Sequence, residues 1–194
     1  LKIQKAAGSV AVPVPASGIL GDRRLGPRAE RLEPIRKQRI QACFALDAGA
    51  HDNQIGGTAA GSGNFVSLNL GAGMRLANNS DSNLVRANWI GLAPNGTTAG
   101  NGGDGVRIES ASSQNLVAGN VISANGGAGV RIDGVATDSN ALDANLIGVD
   151  PTGVLDRGNA GHGVQVSGGA KSNRIGSAAG LGNQIAGNSQ DGTH

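Results

Sequence analysis

Asn115-Leu-Val-Ala-Gly-Asn120-Val-Ile-Ser-Ala-Asn125-Gly-Gly-Ala-Gly129-Val-Arg-Ile132 holds three apolar pairs, Leu116/Val117, Val121/Ile122 and Val130/Ile132, each closed off by Asn or Gly. None is long enough for a helix, and the punctuation predicts three short strands separated by turns. The pattern returns as Asn83-Leu-Val-Arg-Ala-Asn88-Trp-Ile with Gly105-Val-Arg-Ile108, and as Asn140-Ala-Leu-Asp-Ala-Asn145-Leu-Ile with Gly163-Val-Gln-Val166. An Asn followed two residues later by Ile, Val or Leu marks the start of each unit at Asn53, Asn83, Asn115, Asn140 and Asn173. The intervals are uneven because one connection varies, from the long loops Gly91 to Asp104 and Gly148 to His162 to the short Ser123 to Ala128.

One such unit cannot bury its inward side chains alone, so the repeat implies coils stacked ~4.8 Å apart, each strand pairing with its equivalents above and below. Like side chains then lie over like. Ile55, Val85, Val117, Leu142 and Ile175 are expected in one aliphatic column, Ile90, Ile122, Ile147 and Ile185 in a second, and Leu76, Ile108, Ile132 and Val166 in a third. The Asn before each strand is expected at a bend, its amide bonded to the same group one coil away.

Composition supports this reading. Among 194 residues there are 34 Gly, two Phe, one Trp and no Tyr, so a core has to come from stacked Val, Ile and Leu. The net charge of +2 is unevenly spread: residues 1–50 hold nine Lys/Arg against four Asp/Glu, residues 51–194 seven against ten. The repeats are therefore acidic, and without stacking aromatics they do not suggest a nucleic-acid partner. Cys43 is the single cysteine, which rules out an intrachain disulfide. No run approaches the ~18 apolar residues that a membrane-spanning helix needs.

All 18 asparagines lie beyond residue 50. That step divides the chain into residues 1–50, a basic, Pro-containing segment without clear periodicity that reads either as a disordered leader or as an N-terminal cap over the first repeat, and residues 51–194, the repeat array. Within the leader, Pro34 is placed to open a short helix through Leu46, although Ile35, Ile40, Cys43 and Phe44 do not share a face. At the other end Asp191-Gly-Thr-His194 matches the start of Asp104-Gly-Val-Arg107, so the array reads as truncated within a coil. An exposed last rung of this kind predicts end-to-end self-association of the chain.

The set Asn53-Gln-Ile-Gly-Gly-Thr, Gly119-Asn-Val-Ile and Gly129-Val-Arg-Ile resembles the bacterial right-handed parallel β-helix repeat proteins of the pectin-lyase-like group. The resemblance covers residues 51–192 and implies an all-β solenoid of about five coils, an extracellular or cell-surface location, and either a structural or adhesive role or a carbohydrate-active one. Gly161-His-Gly163 is similar to a polygalacturonase motif and would make His162 a catalytic candidate. The paired aspartates and downstream Arg-Ile-Lys of those enzymes have no counterpart here, and Asp150 and Asp156 fall on a loop. A paired general acid and base is therefore not legible, and the chain reads more as a rod than as an enzyme.

No cofactor motif is present: Gly100-Asn-Gly-Gly-Asp-Gly105 leads into a strand and does not open a helix. His51, His162 and His194 are too distant in sequence for a local zinc motif, so no metal site is expected. In each Gly-Val-Arg-Ile strand the central residue points outward if Val and Ile point in. Arg75, Arg107 and Arg131, continued by Gln165, should thus form one exposed column. Two readings apply: contact with an acidic polysaccharide, or a solvated face neutralised by Glu109 and Asp133. Trp89 likewise reads either as a sugar-stacking platform or as a half-exposed hydrophobe.

Overall fold

The computed structural model describes residues 3–4, 10–11, 43–177 and 182–194. Every regular element among them is a β-strand, and five coils each contribute one strand to three parallel sheets. The first sheet stacks Gln54–Gly56, Leu84–Arg86, Leu116–Ala118, Ala141–Asp143 and Arg174–Ile175. Phe65–Val66, Trp89–Ile90, Val121–Ile122, Leu146–Ile147 and Gln184–Ile185 form the second. The third is Phe44–Leu46, Met74–Leu76, Val106–Glu109, Val130–Asp133 and Val164–Ser167. The chain is a parallel β-helix.

The register is the one the repeats dictate. Ile55, Val85, Val117, Leu142 and Ile175 are successive partners. So are Val66, Ile90, Ile122, Ile147 and Ile185, and so are Leu46, Leu76, Ile108, Ile132 and Val166. A fourth inward column runs Phe44, Met74, Val106, Val130, Val164 because the third-sheet strands place two residues inside. Almost all of these are completely buried, and the exception is the last rung, where Ile175 is 38% exposed. At ~1.5–3 kcal/mol per fully buried aliphatic side chain, the columns are the main source of stability.

Two expectations at the array's start are changed. Phe44–Leu46 lies on the leader side of the step at residue 51, yet it is the first strand of the third sheet, with Phe44 and Leu46 buried and Ala45 between them half-buried. A helix through Leu46 is therefore wrong: two inward side chains separated by one outward residue fit a strand's period of two, and the Met74–Leu76 strand offers its free edge to them. Ile3–Gln4 and Val10–Ala11 pair antiparallel with Gln54–Gly56 and Phe44–Leu46. The rest of the leader, including Pro34, falls outside the described residues.

Asparagine closes the bends in three ladders. Asn53, Asn83, Asn115, Asn140 and Asn173 form the first, and Asn64, Asn88, Asn120, Asn145 and Asn183 the second. The third, Asn69, Asn101, Asn125, Asn159 and Asn188, follows the second sheet. At each step the backbone N–H and the Nδ2 of one Asn both donate to the Oδ1 of the next, as from Asn115 to Asn140 at 3.0 Å each. The Nδ2 also donates to a main-chain carbonyl one coil back, here Ser80 at 2.8 Å. The ladder thus satisfies backbone groups that a bend withdraws from the sheets, where leaving them unpaired would cost ~1–3 kcal/mol each.

Candidate functional site

The arginines do form one column. Arg75, Arg107, Arg131 and Gln165 are successive partners on the outer side of the third sheet, preceded by Ala45. Valine and isoleucine flank each of the central two on the inward side, which leaves the guanidinium stems half-buried on the surface. Their electrostatics are set by carboxylates from the same face. Glu109 bridges two rungs, accepting from Arg75 Nε at 2.5 Å and from Arg107 Nε at 2.6 Å. Asp104 accepts from Arg131 Nε at 2.9 Å and lies 3.9 Å from Arg107 Nη1. Asp47 stands 3.7 Å from Arg75 Nη1.

Three guanidinium groups are thus matched by three carboxylates. Glu109 is the neutralising partner that the sequence predicts; Asp133 takes another role, accepting a hydrogen bond from Ser167 at 2.8 Å. Asp104 replaces it because its corner projects toward Arg131 one coil on, a relation across coils that spacing along the chain does not display. With side chains about one-third exposed, each pair contributes only ~0–1 kcal/mol. Their effect is to tether each guanidinium through its Nε to a carboxylate of the same face.

The acidic residues of the long fourth-coil loop are committed to that loop. Asp150 Oδ1 accepts from Leu155 N–H at 2.9 Å and Val154 N–H at 3.0 Å, and the Thr152 hydroxyl donates to both of its oxygens. The Leu155 N–H, helped by the Thr152 hydroxyl and the Val154 N–H, holds the Asp150 carboxyl below the usual carboxylate range. Asp156 Oδ1 accepts from Gly158 N–H at 2.8 Å. Both aspartates close turns. On the first sheet, Arg174 makes a bidentate pair with Asp143, at 2.7 and 2.8 Å, and the bond raises its already high pKa. Cys43, at the edge of the array, has its thiol pKa pushed up by burial.

Trp89 is half-buried and edge-on to Phe65, ring centroids 5.2 Å apart at 86°. Phe65 is its partner on the preceding rung and is 50% exposed. The sequence signal for this pair, an aromatic at the same offset after Asn64 and Asn88, becomes visible only once the second Asn ladder aligns the two coils.

His162 sits at the corner before Val164, its side chain 15% exposed, beside Asp191 and His194 of the following turn. Sequence distance separates these histidines, and coil stacking joins them. His51 lies apart, exposed and paired with Asp52 at 2.9 Å.

Fold and surface together define a parallel β-helix repeat protein with a charge-compensated arginine column on one face. No protein-family model matches the chain, and neither the curated proteins nor the solved structures include a match to it.

Proposed function

We propose that the chain is a structural or adhesive β-helix segment of a secreted or cell-surface bacterial protein, related to the pectin-lyase-like group, whose arginine face contacts acidic polysaccharide. The observation that carries this reading is continuity. Four apolar columns and three Asn ladders run through every described coil, giving a stiff rod with a regular ~4.8 Å repeat of outward side chains. Arg75, Arg107 and Arg131 present guanidinium edges along that axis, suited to uronate carboxylates. Phe65 and Trp89 add an apolar platform on the second sheet.

Because Asp47, Asp104 and Glu109 compensate the column, the affinity should be weak and salt-sensitive. The chain is expected to be retarded on immobilised polygalacturonate or alginate at low salt and released well below physiological ionic strength. Replacing all three arginines by Ala should abolish the retardation; equal elution of the variant and the parent would remove the polysaccharide reading. The 194-residue chain also presents a part-exposed last rung, so its scattering mass should rise with concentration.

His162 in Gly161-His-Gly163 favours the second reading, a piece of a polyuronate lyase or glycoside hydrolase. Incubation with the same glycans distinguishes the two, since release of unsaturated or reducing ends would establish chemistry in these coils.

A further inference from the structure

The corner residue three positions before the outward residue of each third-sheet strand forms a column of its own. Asp104 precedes Arg107, Ala128 precedes Arg131, His162 precedes Gln165, and Asp191 precedes His194. Asp104 shows what this position does: its carboxylate lies against the outward cation of its own coil, Arg107, and that of the next, Arg131. The same corner recurs at the end of the array with different chemistry. Thr193 bridges to Val164 in parallel, and the His194 N–H and C=O bond to Val164 and Val166, which places His194 over Gln165 and Asp191 over His162.

Two imidazoles and one carboxylate therefore converge. Nδ1 of His162 and Nδ1 of His194 each lie 3.5 Å from Asp191 Oδ2, and one ligand atom from each of the three residues falls within a 4.8 Å span. The imidazole rings stack at 4.6 Å and 14°. His162 Nδ1 is buried and has no hydrogen-bond partner, with Asp191 Oδ2 3.5 Å away at ion-pair distance only. A buried ring nitrogen left this way costs free energy unless something occupies the gap. Two donors each ~2.0–2.1 Å from a tetrahedral ion are held about 3.3–3.4 Å apart, close to both His–Asp separations.

We propose that His162, Asp191 and His194 bind a divalent cation of the zinc class, which ties the corner of one coil to the next. The donor set selects the ion: imidazole nitrogen suits zinc and its neighbours, whereas calcium and magnesium take oxygen shells. His162 is the fixed ligand. His194, 60% exposed, turns its ring out of the stack so that its nitrogen faces the ion. Three protein ligands leave a fourth position for water or an outside donor.

Isothermal titration of the full chain with zinc chloride, with calcium chloride alongside, tests the site. The expected result is one zinc per chain, no calcium binding at the same concentrations, and a rise in Tm of several degrees with zinc. His162→Ala, Asp191→Asn and His194→Ala should each weaken zinc binding at least ~10-fold, and His51→Ala should leave it unchanged. Loss of folding is not expected to confuse the outcome, because Ala128 already fills the His162 position one coil earlier and His194 is a surface side chain. Cobalt supplies an independent readout: an intense visible ligand-field band in the parent that disappears in His194→Ala. Zinc binding that persists in the His162→Ala/His194→Ala double variant, or that vanishes in His51→Ala, would overturn the assignment, as would a parent chain that binds no zinc.

Discussion

Asn120→Ala is expected to lower the free energy of unfolding by about 3–5 kcal/mol, a large effect for removing one uncharged side chain. Asn120 is almost completely buried in the middle of the second ladder. Its Oδ1 accepts from the backbone N–H of Asn88 at 2.9 Å and from Asn88 Nδ2 at 3.1 Å. Its Nδ2 donates to the carbonyls of Val85 and Ala118 and to Asn145 Oδ1. Asn88 Nδ2 keeps its bond to Ile55 O, and Asn145 Oδ1 keeps the Asn120 backbone N–H, so the variant does not orphan every partner. The buried Asn88 backbone N–H loses its acceptor, the Val85 carbonyl loses a donor, and a small cavity is left between them. The matching substitution at the outer end, Asn183→Ala, should cost about 1 kcal/mol, since solvent reaches that rung. Urea unfolding followed by circular dichroism gives both values, and equal costs at the two positions would refute the ladder as a buried, cooperative element.

Gly91→Ala should be at least as damaging, at roughly 4 kcal/mol or more, because two penalties coincide. Gly91 leaves the second sheet with φ +95°, a conformation that L side chains rarely adopt. A Cβ there would stand 1.9 Å from the Ser123 carbonyl oxygen and 2.7 Å from Asn125 Oδ1 on the next coil. Neither can retreat: Ser123 N–H donates to Ile90 O, and Asn125 Oδ1 is the acceptor of the third ladder. Relief would have to come from separating two coils. Gly119→Ala is the control, since its φ is +62° but nothing lies within 4 Å of the added carbon. That change should cost only ~1–2 kcal/mol, the backbone term alone. Similar losses from both alanines would show that close coil approach does not limit residue 91.

What the sequence displays and what it conceals follow from the geometry of stacking. Aliphatic columns are legible because the repeat along the chain becomes identity across it: once Asn83, Asn115 and Asn140 are aligned, Val85, Val117 and Leu142 are forced into contact. The third Asn ladder is hidden because loops of unequal length separate Asn101, Asn125 and Asn159. Phe44–Leu46 escapes for a related reason, since no Asn precedes it to mark the bend.

At the surface, the column of Arg75, Arg107 and Arg131 can be read from alternation alone, but its compensation cannot. Asp104 reaches Arg131 from the coil before, a contact fixed by how far a corner projects and not by any spacing along the chain. The same limit applies to His162. The likeness of Asp191-Gly-Thr-His194 to Asp104-Gly-Val-Arg107 is visible in the sequence; that it stacks Asp191 and His194 over His162 requires the coil.

The columns, the ladders and the charge pairs all depend on register between coils, and a crystal structure measures it directly. Ile90, Ile122 and Ile147 should lie in one inward column with consecutive Cα atoms about 4.8 Å apart, and Arg107 over Arg131 on the outer side of the third sheet. Coordinates in which those isoleucines are scattered, or in which strands from successive repeats pair out of step, would contradict the account.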